Sequence, residues 1–471
     1  MLSITIALYS CRSDSGAVRK VVIIATNDVH AQIGRFPQLA ALVQQKRAEG
    51  GEVMVVDAGD RFSGNPYVDN ATEKGEPIIL LMNKVGYDVA CMGNHDFDYG
   101  QKTLKKRISK AEFPVICANI VSENSELGQL PPYQIIERGG LKFCFFSLIQ
   151  TGSNHIPATN PANLEDISFR YYKDVAMEYK KLEDECDALI GLTHLGFAND
   201  SLLALVMPGF DVIVGGHSHT VIHEPKIING VLVTQTGSNL NYAGVTTLTF
   251  KGKKLMDRAY QLVSLKDFGG TDQEIALMVE EVNNRPELKK VIGMAAGDLK
   301  SKENVASLVT DAMCDATGAD FAFYNKGGVR LNAIAKGDIT VEMVYKLEPF
   351  SNYIVGHEWT LDQLQEFILN DYNRIANPDD RYINYFISAG KYEIIRDLQG
   401  EGKEVKFYGK DGKLLNDRKK RYNVVFSNYV ASSNPNVKGG KETGIYITDA
   451  IVGYLAKQNT VFYDQQRAFV K

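Results

Sequence analysis

The stretch DVACMGNHDFDYG, residues 88–100, sets a short apolar run ahead of Asn94, His95, Asp96 and Asp98, with Gly93 and Gly100 punctuating the polar part. A run such as VACM suits a strand buried on both faces, and glycine lets the chain turn sharply where the strand stops. The chain repeats this grammar. VVIIAT (21–26) leads to Asp28 and His30, VMVVDAGD (53–60) to Asp57 and Asp60, DALIGLTH (187–194) to His194, and DVIVGGHSH (211–219) to His217 and His219. FPVICAN (113–119), KFCFFSLI (142–149) and VLVTQTGS (231–238) are further strand-like runs. GRFPQLAALVQQKRAEG (34–50) and EPIILLMNKVG (76–86) carry apolar residues at helical spacing. Strand, helix, strand order predicts a layered α/β core, and polar groups at strand C-termini lie where open α/β sheets place their sites.

Five of the eight histidines, His30, His95, His194, His217 and His219, fall in these strand-end groups. His155, His223 and His357 fall outside them and read as surface or structural residues. Carboxylates, imidazoles and one amide, with no thiolate, suit a divalent ion such as Mn, Zn, Mg or Co. The donors suffice for two ions, and two ions about 3.5–4 Å apart with a bridging carboxylate suit in-line displacement at phosphorus. A lone histidine at a strand end is more often a hydrogen-bonded structural residue, and Asn and Asp favour turns. Five such groups in order are not explained that way.

Composition narrows the class. The 471 residues exceed one compact core, which predicts two domains. A formal net charge of −5 argues against a broad basic face for a nucleic-acid polymer. It leaves room for a small anionic substrate, because bound metals supply local positive charge. No apolar run approaches the ~18 residues of a membrane span. The start, MLSITIALYSC, resembles the end of a bacterial lipoprotein signal. That resemblance implies a lipid anchor at Cys11 and an extracytoplasmic location, in the periplasm or at the cell surface. The cysteines form no CxxC pair and read as buried free thiols.

NDVH, DAGD, GNHDFD, THLG and GGHSH together resemble the ordered motifs of calcineurin-like metallophosphoesterases. The GNHxFD form with a second domain behind it resembles the 5'-nucleotidase / UDP-sugar hydrolase / 2',3'-cyclic-nucleotide phosphodiesterase family. The resemblance implies one metal on Asp28, His30, Asp57 and His219, and another on Asp57, Asn94, His194 and His217, with Asp57 bridging. It implies attack on phosphorus by a metal-bridging hydroxide. His95 and Asp98 match the family's catalytic pair, with Asp98 keeping His95 cationic to stabilise the transferred phosphoryl group. Asp60 is expected to orient a ligand or its loop rather than bind metal, and Asp96 to be a turn residue.

The second half carries a weaker set in the family's order. YNKGGVR (324–330) resembles its NxGGxR segment, which makes Asn325 and Arg330 substrate contacts. EPFSN (348–352) resembles PFxN, so Phe350 would stack on a base and Asn352 would contact the sugar. NYVAS (428–432) resembles the second aromatic segment, with Tyr429 as the other side of the sandwich. Two departures stand out. SSNP (432–435) replaces the family's GGDG, and SKENVASL (301–308) has Ala306 for glycine and Lys302 as its only base.

The expected layout is a leader over 1–19 and a layered α/β metallophosphoesterase sandwich over 20–264. A linker helix over 265–294 follows, opened by a Thr271/Glu274 capping box, and then a smaller α+β substrate-binding domain over 295–471. The expected reaction releases phosphate from a nucleoside monophosphate. UDP-sugar, 2',3'-cyclic-nucleotide or sulfur-ester hydrolysis are alternatives within the family, and a nucleoside-binding surface protein is the non-enzymatic alternative.

Overall fold

The computed structural model describes residue 16 and residues 18–471, apart from 153, 208, 389 and 438. Cys11, where the lipid anchor is expected, lies outside the described residues.

Two six-stranded sheets build the first half. In one, Val18–Thr26, Glu52–Asp57, Val89–Cys91 and Val115–Ile116 run parallel, and the hairpin Tyr242–Lys251/Lys254–Ser264 pairs antiparallel at the other edge. In the other, Leu141–Ile149, Ala188–His194, Val212–Val214 and Val231–Thr234 run parallel, with antiparallel edges Tyr133–Arg138 and Lys226–Ile228. Strand side chains alternate between faces, and both faces are apolar here. Val21, Ile23, Met54, Val56 and Val89 meet Phe143, Phe145, Ile190, Leu192 and Val212 between the sheets. Val22, Ile24, Val53 and Val55 pack outward under helices Phe36–Ala48 and Glu76–Val85. Cys144, Phe146 and Leu148 pack outward beneath Tyr172–Glu178 and Phe197–Val206. The result is a four-layer α/β/β/α sandwich, which is why these strands read as unbroken apolar runs.

The expected linker helix differs in two respects. Helix Gln273–Val282 is capped by Asp272, whose Oδ1 accepts the Ile275 N–H at 2.9 Å, and not by Thr271. Ile275 and Val279 join the core under helix Phe36–Ala48, so the helix is part of the first half's outer layer.

The second half centres on a mixed five-stranded sheet in the order Tyr385–Ile387, Phe321–Asn325, Tyr422–Ser427, Tyr353–Trp359, Lys441–Tyr446. Helices Lys302–Thr317 and Ile447–Gln458 cover one face, and Leu361–Asn373 covers the other. Ser427 ends its strand and caps the helix Asn428–Ser433, which carries Tyr429 toward the first half.

Candidate active site

The parallel strands of both sheets end at one edge of the sandwich, and the polar groups follow those ends. Asp28 and His30 lie past Thr26, Asp60 past Asp57, Asn94 and His95 past Cys91, and His217 and His219 past Val214, while His194 ends its own strand. Asp28, His30, Asp60, His217 and His219 all hold positive φ, between 48° and 79°. Non-glycine residues persist there only when the surroundings over-determine them, a form of strain that gathers at functional sites. The turns also need bare backbone. A Cβ on Gly93 would lie 2.2 Å from the Asp60 N and Oδ1.

The donors converge. His219 Nε2 lies 3.1 Å from His30 Nε2 and 3.2 Å from Asp28 Oδ1. His194 Nε2 lies 3.1 Å from Asp60 Oδ2 and 3.2 Å from Asn94 Oδ1, and His217 Nδ1 lies 2.9 Å from the same Asn94 oxygen. Two groups of metal-ligating atoms emerge, Asp28/His30/His219 and Asp28/Asp60/His194.

Proton positions show what this cluster fits. His30 Nδ1 faces the Ser63 carbonyl at 3.1 Å and His194 Nδ1 faces the Ala58 carbonyl at 2.7 Å, so each carries its proton there. The Nε2 lone pairs are thereby aimed at each other's neighbours and at carboxylate oxygens. Asn94 Nδ2 donates to the Ala158 carbonyl at 3.0 Å, which turns its Oδ1 inward as well. Acceptors crowded onto acceptors demand positive charge. Burial lowers His30 to about 3 and, with the charge of His194, lowers His217 to about 4, so both are neutral ligand-type imidazoles. Without a cation, His194 Nε2 must itself take a proton: burial opposes its charge, yet Asp60 and Asp28 hold its pKa well above the ordinary value. This set fits divalent cations.

Asp57 is not in it, contrary to the sequence expectation. Its Oδ2 accepts from Arg61 Nε at 3.2 Å and its Oδ1 from Thr26 Oγ1 at 3.0 Å, in a fully buried pair. Asp57 shares strand parity with Val53 and Val55, which face the helix layer, and Arg61 waits there. Asp60, expected only to orient the loop, occupies the place assigned to Asp57. The signal was the glycine directly before it, as in MGNH and GGH. Asp96 is more than a turn residue: its carboxylate accepts from Gly93 N at 2.8 Å and Arg61 N at 3.1 Å.

His95 lies beside the donors. Its N–H donates to Asp60 Oδ1 at 2.7 Å, and its Nδ1 lies 2.8 Å from Asp98 Oδ2, while Asp98 Oδ1 accepts from Thr159. Burial disfavours a charged His95, but Asp98 and Asp60 outweigh it and raise its pKa. The ring stacks on Phe350, centroids 5.6 Å apart.

A cavity of about 580 Å³ opens over these groups between the two halves. Asn325, Arg330, Phe350, Asn352 and Tyr429 line it from the second half, and the Arg330 guanidinium sits 5.5 Å from the Phe350 ring centre. Among the described residues no ring contact joins Phe350 to Tyr429; each faces the cavity separately. Sequence reasoning missed Lys74, Asn160, Asn163 and Tyr353 in the lining. They belong to no strand-end motif, and only tertiary packing gathers them.

The family description Calcineurin-like phosphoesterase matches residues 21–221, and 5'-nucleotidase, C-terminal domain matches residues 289–440. The chain carries a calcineurin-like phosphoesterase domain with a 5'-nucleotidase C-terminal domain behind it. This phosphoesterase is 27% identical to Protein UshA of Yersinia enterocolitica, over 95% of this chain and 89% of that one. It is 29% identical to a 5'-nucleotidase of Vibrio cholerae over 71% of this chain and 72% of that one. Its fold is that of the 5'-nucleotidase precursor of Thermus thermophilus, with a TM-score of 0.83 over 96% of this chain and 99% of that one, at 24% identity. It is a metal-dependent phosphoester hydrolase. No helix among the described residues is long and apolar enough to cross a membrane.

Proposed function

We propose that this phosphoesterase is a 5'-nucleotidase with two divalent ions, working outside the cytoplasm and releasing phosphate from nucleoside monophosphates. The observation that carries the reading is one cavity with metal-type donors on its floor and Arg330, Phe350 and Tyr429 on its opposite wall. The name of the Vibrio relative, a 5'-nucleotidase, agrees with it. Asp28, His30, Asp60 and His219 would hold one ion, and Asp60, Asn94, His194 and His217 the other, with Asp60 shared. Bound there, the ions (Mn, Zn, Mg or Co) would lower the pKa of water and hold phosphate oxygens.

The protein's own groups do the rest. Asp98 accepts the hydrogen bond from His95 Nδ1–H and holds the ring so that Nε2–H is free to donate to a phosphoryl oxygen, where charge grows in the transition state. Arg330 adds a second fixed charge across the cavity. Phe350 and Tyr429 offer ring faces to a base, a contact worth about 1–3 kcal/mol and tolerant of base identity. We place the division of labour at residues 20–264 for the metal-bearing half and 295–471 for the substrate-gripping half, and a lipid anchor at Cys11. A nucleic-acid polymer is not the partner we assign.

Phosphate release from AMP, UDP-glucose, 2',3'-cyclic AMP and an aryl phosphate, with Mn²⁺ and then with chelator, tests this. AMP should lead the panel and the chelator should abolish release. Release from aryl phosphate alone would sink the nucleotide reading, and release insensitive to chelator would sink the metal reading.

A further inference from the structure

Glu348 has no part in the mechanism above, yet it is fully buried directly behind the cavity wall. Its Oε1 accepts the Asn352 backbone N–H at 3.2 Å and the Asn352 side-chain Nδ2 at 2.9 Å, and its Oε2 accepts the Tyr324 hydroxyl. The backbone N–H can only donate, so Oε1 is an acceptor whether or not the carboxyl carries a proton. The Asn352 amide turns its NH₂ toward that oxygen, and the Tyr324 hydroxyl takes a hydrogen bond from the same side chain. The Asn352 carbonyl is occupied as well, accepting the Ile447 N–H at 2.9 Å. What remains is Asn352 Oδ1, which accepts no hydrogen bond among the described residues, on a side chain that lines the cavity.

We infer that Glu348 is a positioning residue: it locks the Asn352 amide with Oδ1 toward the cavity, so that the site selects a hydrogen-bond donor on the leaving group. The inference rests on the nucleotide reading. An amide free to flip would accept either a donor or an acceptor; a locked one discriminates. The donor class comprises the sugar hydroxyls and an exocyclic base amine. A buried acceptor left without its partner is what makes such discrimination steep.

The test compares AMP, 2',3'-dideoxy-AMP and purine riboside 5'-monophosphate on wild type, Glu348→Gln, Glu348→Met and Asn352→Leu. On wild type at least one analogue should lose about tenfold in kcat/KM, mostly in KM; which one loses identifies sugar or base as the donor. Glu348→Gln keeps an oxygen for Asn352 and should keep the preference. Glu348→Met should erase it by raising KM for AMP toward that of the analogue. If Glu348→Met fails to fold, Asn352→Leu makes the same measurement from the other partner. Equal use of all three nucleotides by wild type, a preference that survives in folded Glu348→Met, or one that survives Asn352→Leu, overturns the inference while leaving the nucleotide reading standing. A wild type that cleaves aryl phosphate and no nucleotide overturns both.

Discussion

Asp57 and Asp60 stand three residues apart and do opposite work. Asp57 neutralises Arg61 inside the helix-side core, and Asp60 faces the imidazoles. Asp60→Asn should therefore strip bound metal, read as metal content after dialysis, with activity falling in step. Asp57→Asn should retain metal but cost about 3–5 kcal/mol of stability, because Arg61 would keep its buried charge with one partner fewer. Metal loss from Asp57→Asn at intact fold would reverse the assignment. The sequence made both carboxylates visible as candidates. It separates them only through the glycine before Asp60 and the parity of the strand, which places Asp57 with Val53 and Val55 and leaves Asp60 beyond the last pairing. The histidines were plainer, since all five that sit at or just past a strand end, His30, His95, His194, His217 and His219, reach the cluster. Lys74 and Asn160 were invisible, because nothing local distinguishes them from surface residues.

Among the elements, the turn 348–352 links Phe350 and Asn352 to one buried acid. Burial raises the Glu348 pKa to about 7 against the pull of Tyr324 and Asn352. A raised carboxyl pKa means that the folded protein binds the proton more tightly. The associated stability is full below about 4.5 and is lost as pH climbs through about 7, a swing of about 3 kcal/mol from this group. Urea unfolding of wild type and Glu348→Gln at pH 5 and pH 8 should show wild type losing ground to the variant at the higher pH. A constant difference would mean that Glu348 titrates normally. Helices 36–48 and 76–85 were legible from their spacing. Pairs such as Ser168–Phe169 or Thr460–Val461 were not, because two residues carry no period and take their strand state from a neighbour. The cap at Asp272 was missed because Thr271 offers a similar oxygen one position earlier.

For the whole molecule, the apolar runs announced a buried α/β core but not which runs share a sheet. Val18–Thr26 pairs with Tyr242–Lys251, a partner that no local signal names. The relation of the two halves was equally hidden. Among the described residues few polar ties cross the cleft: Tyr67 to Glu342 at 2.9 Å, Lys74 to Ser351 at 3.3 Å and Ser432 to Asn160 at 3.2 Å. Each is worth about 1 kcal/mol. Tyr67 lies outside the cavity lining, so Tyr67→Phe should raise KM for AMP severalfold and barely move the melting temperature. An unchanged KM would mean that the tie does not hold the cleft. The metal-type donors all belong to the first half, and the two rings assigned to the base, Phe350 and Tyr429, to the second. On our reading an intact nucleotide is then a rivet through both plates, phosphate fixed below and base fixed above. Hydrolysis cuts the rivet at its shank, each plate keeps one piece, and the ties across the cleft are left to oppose their parting.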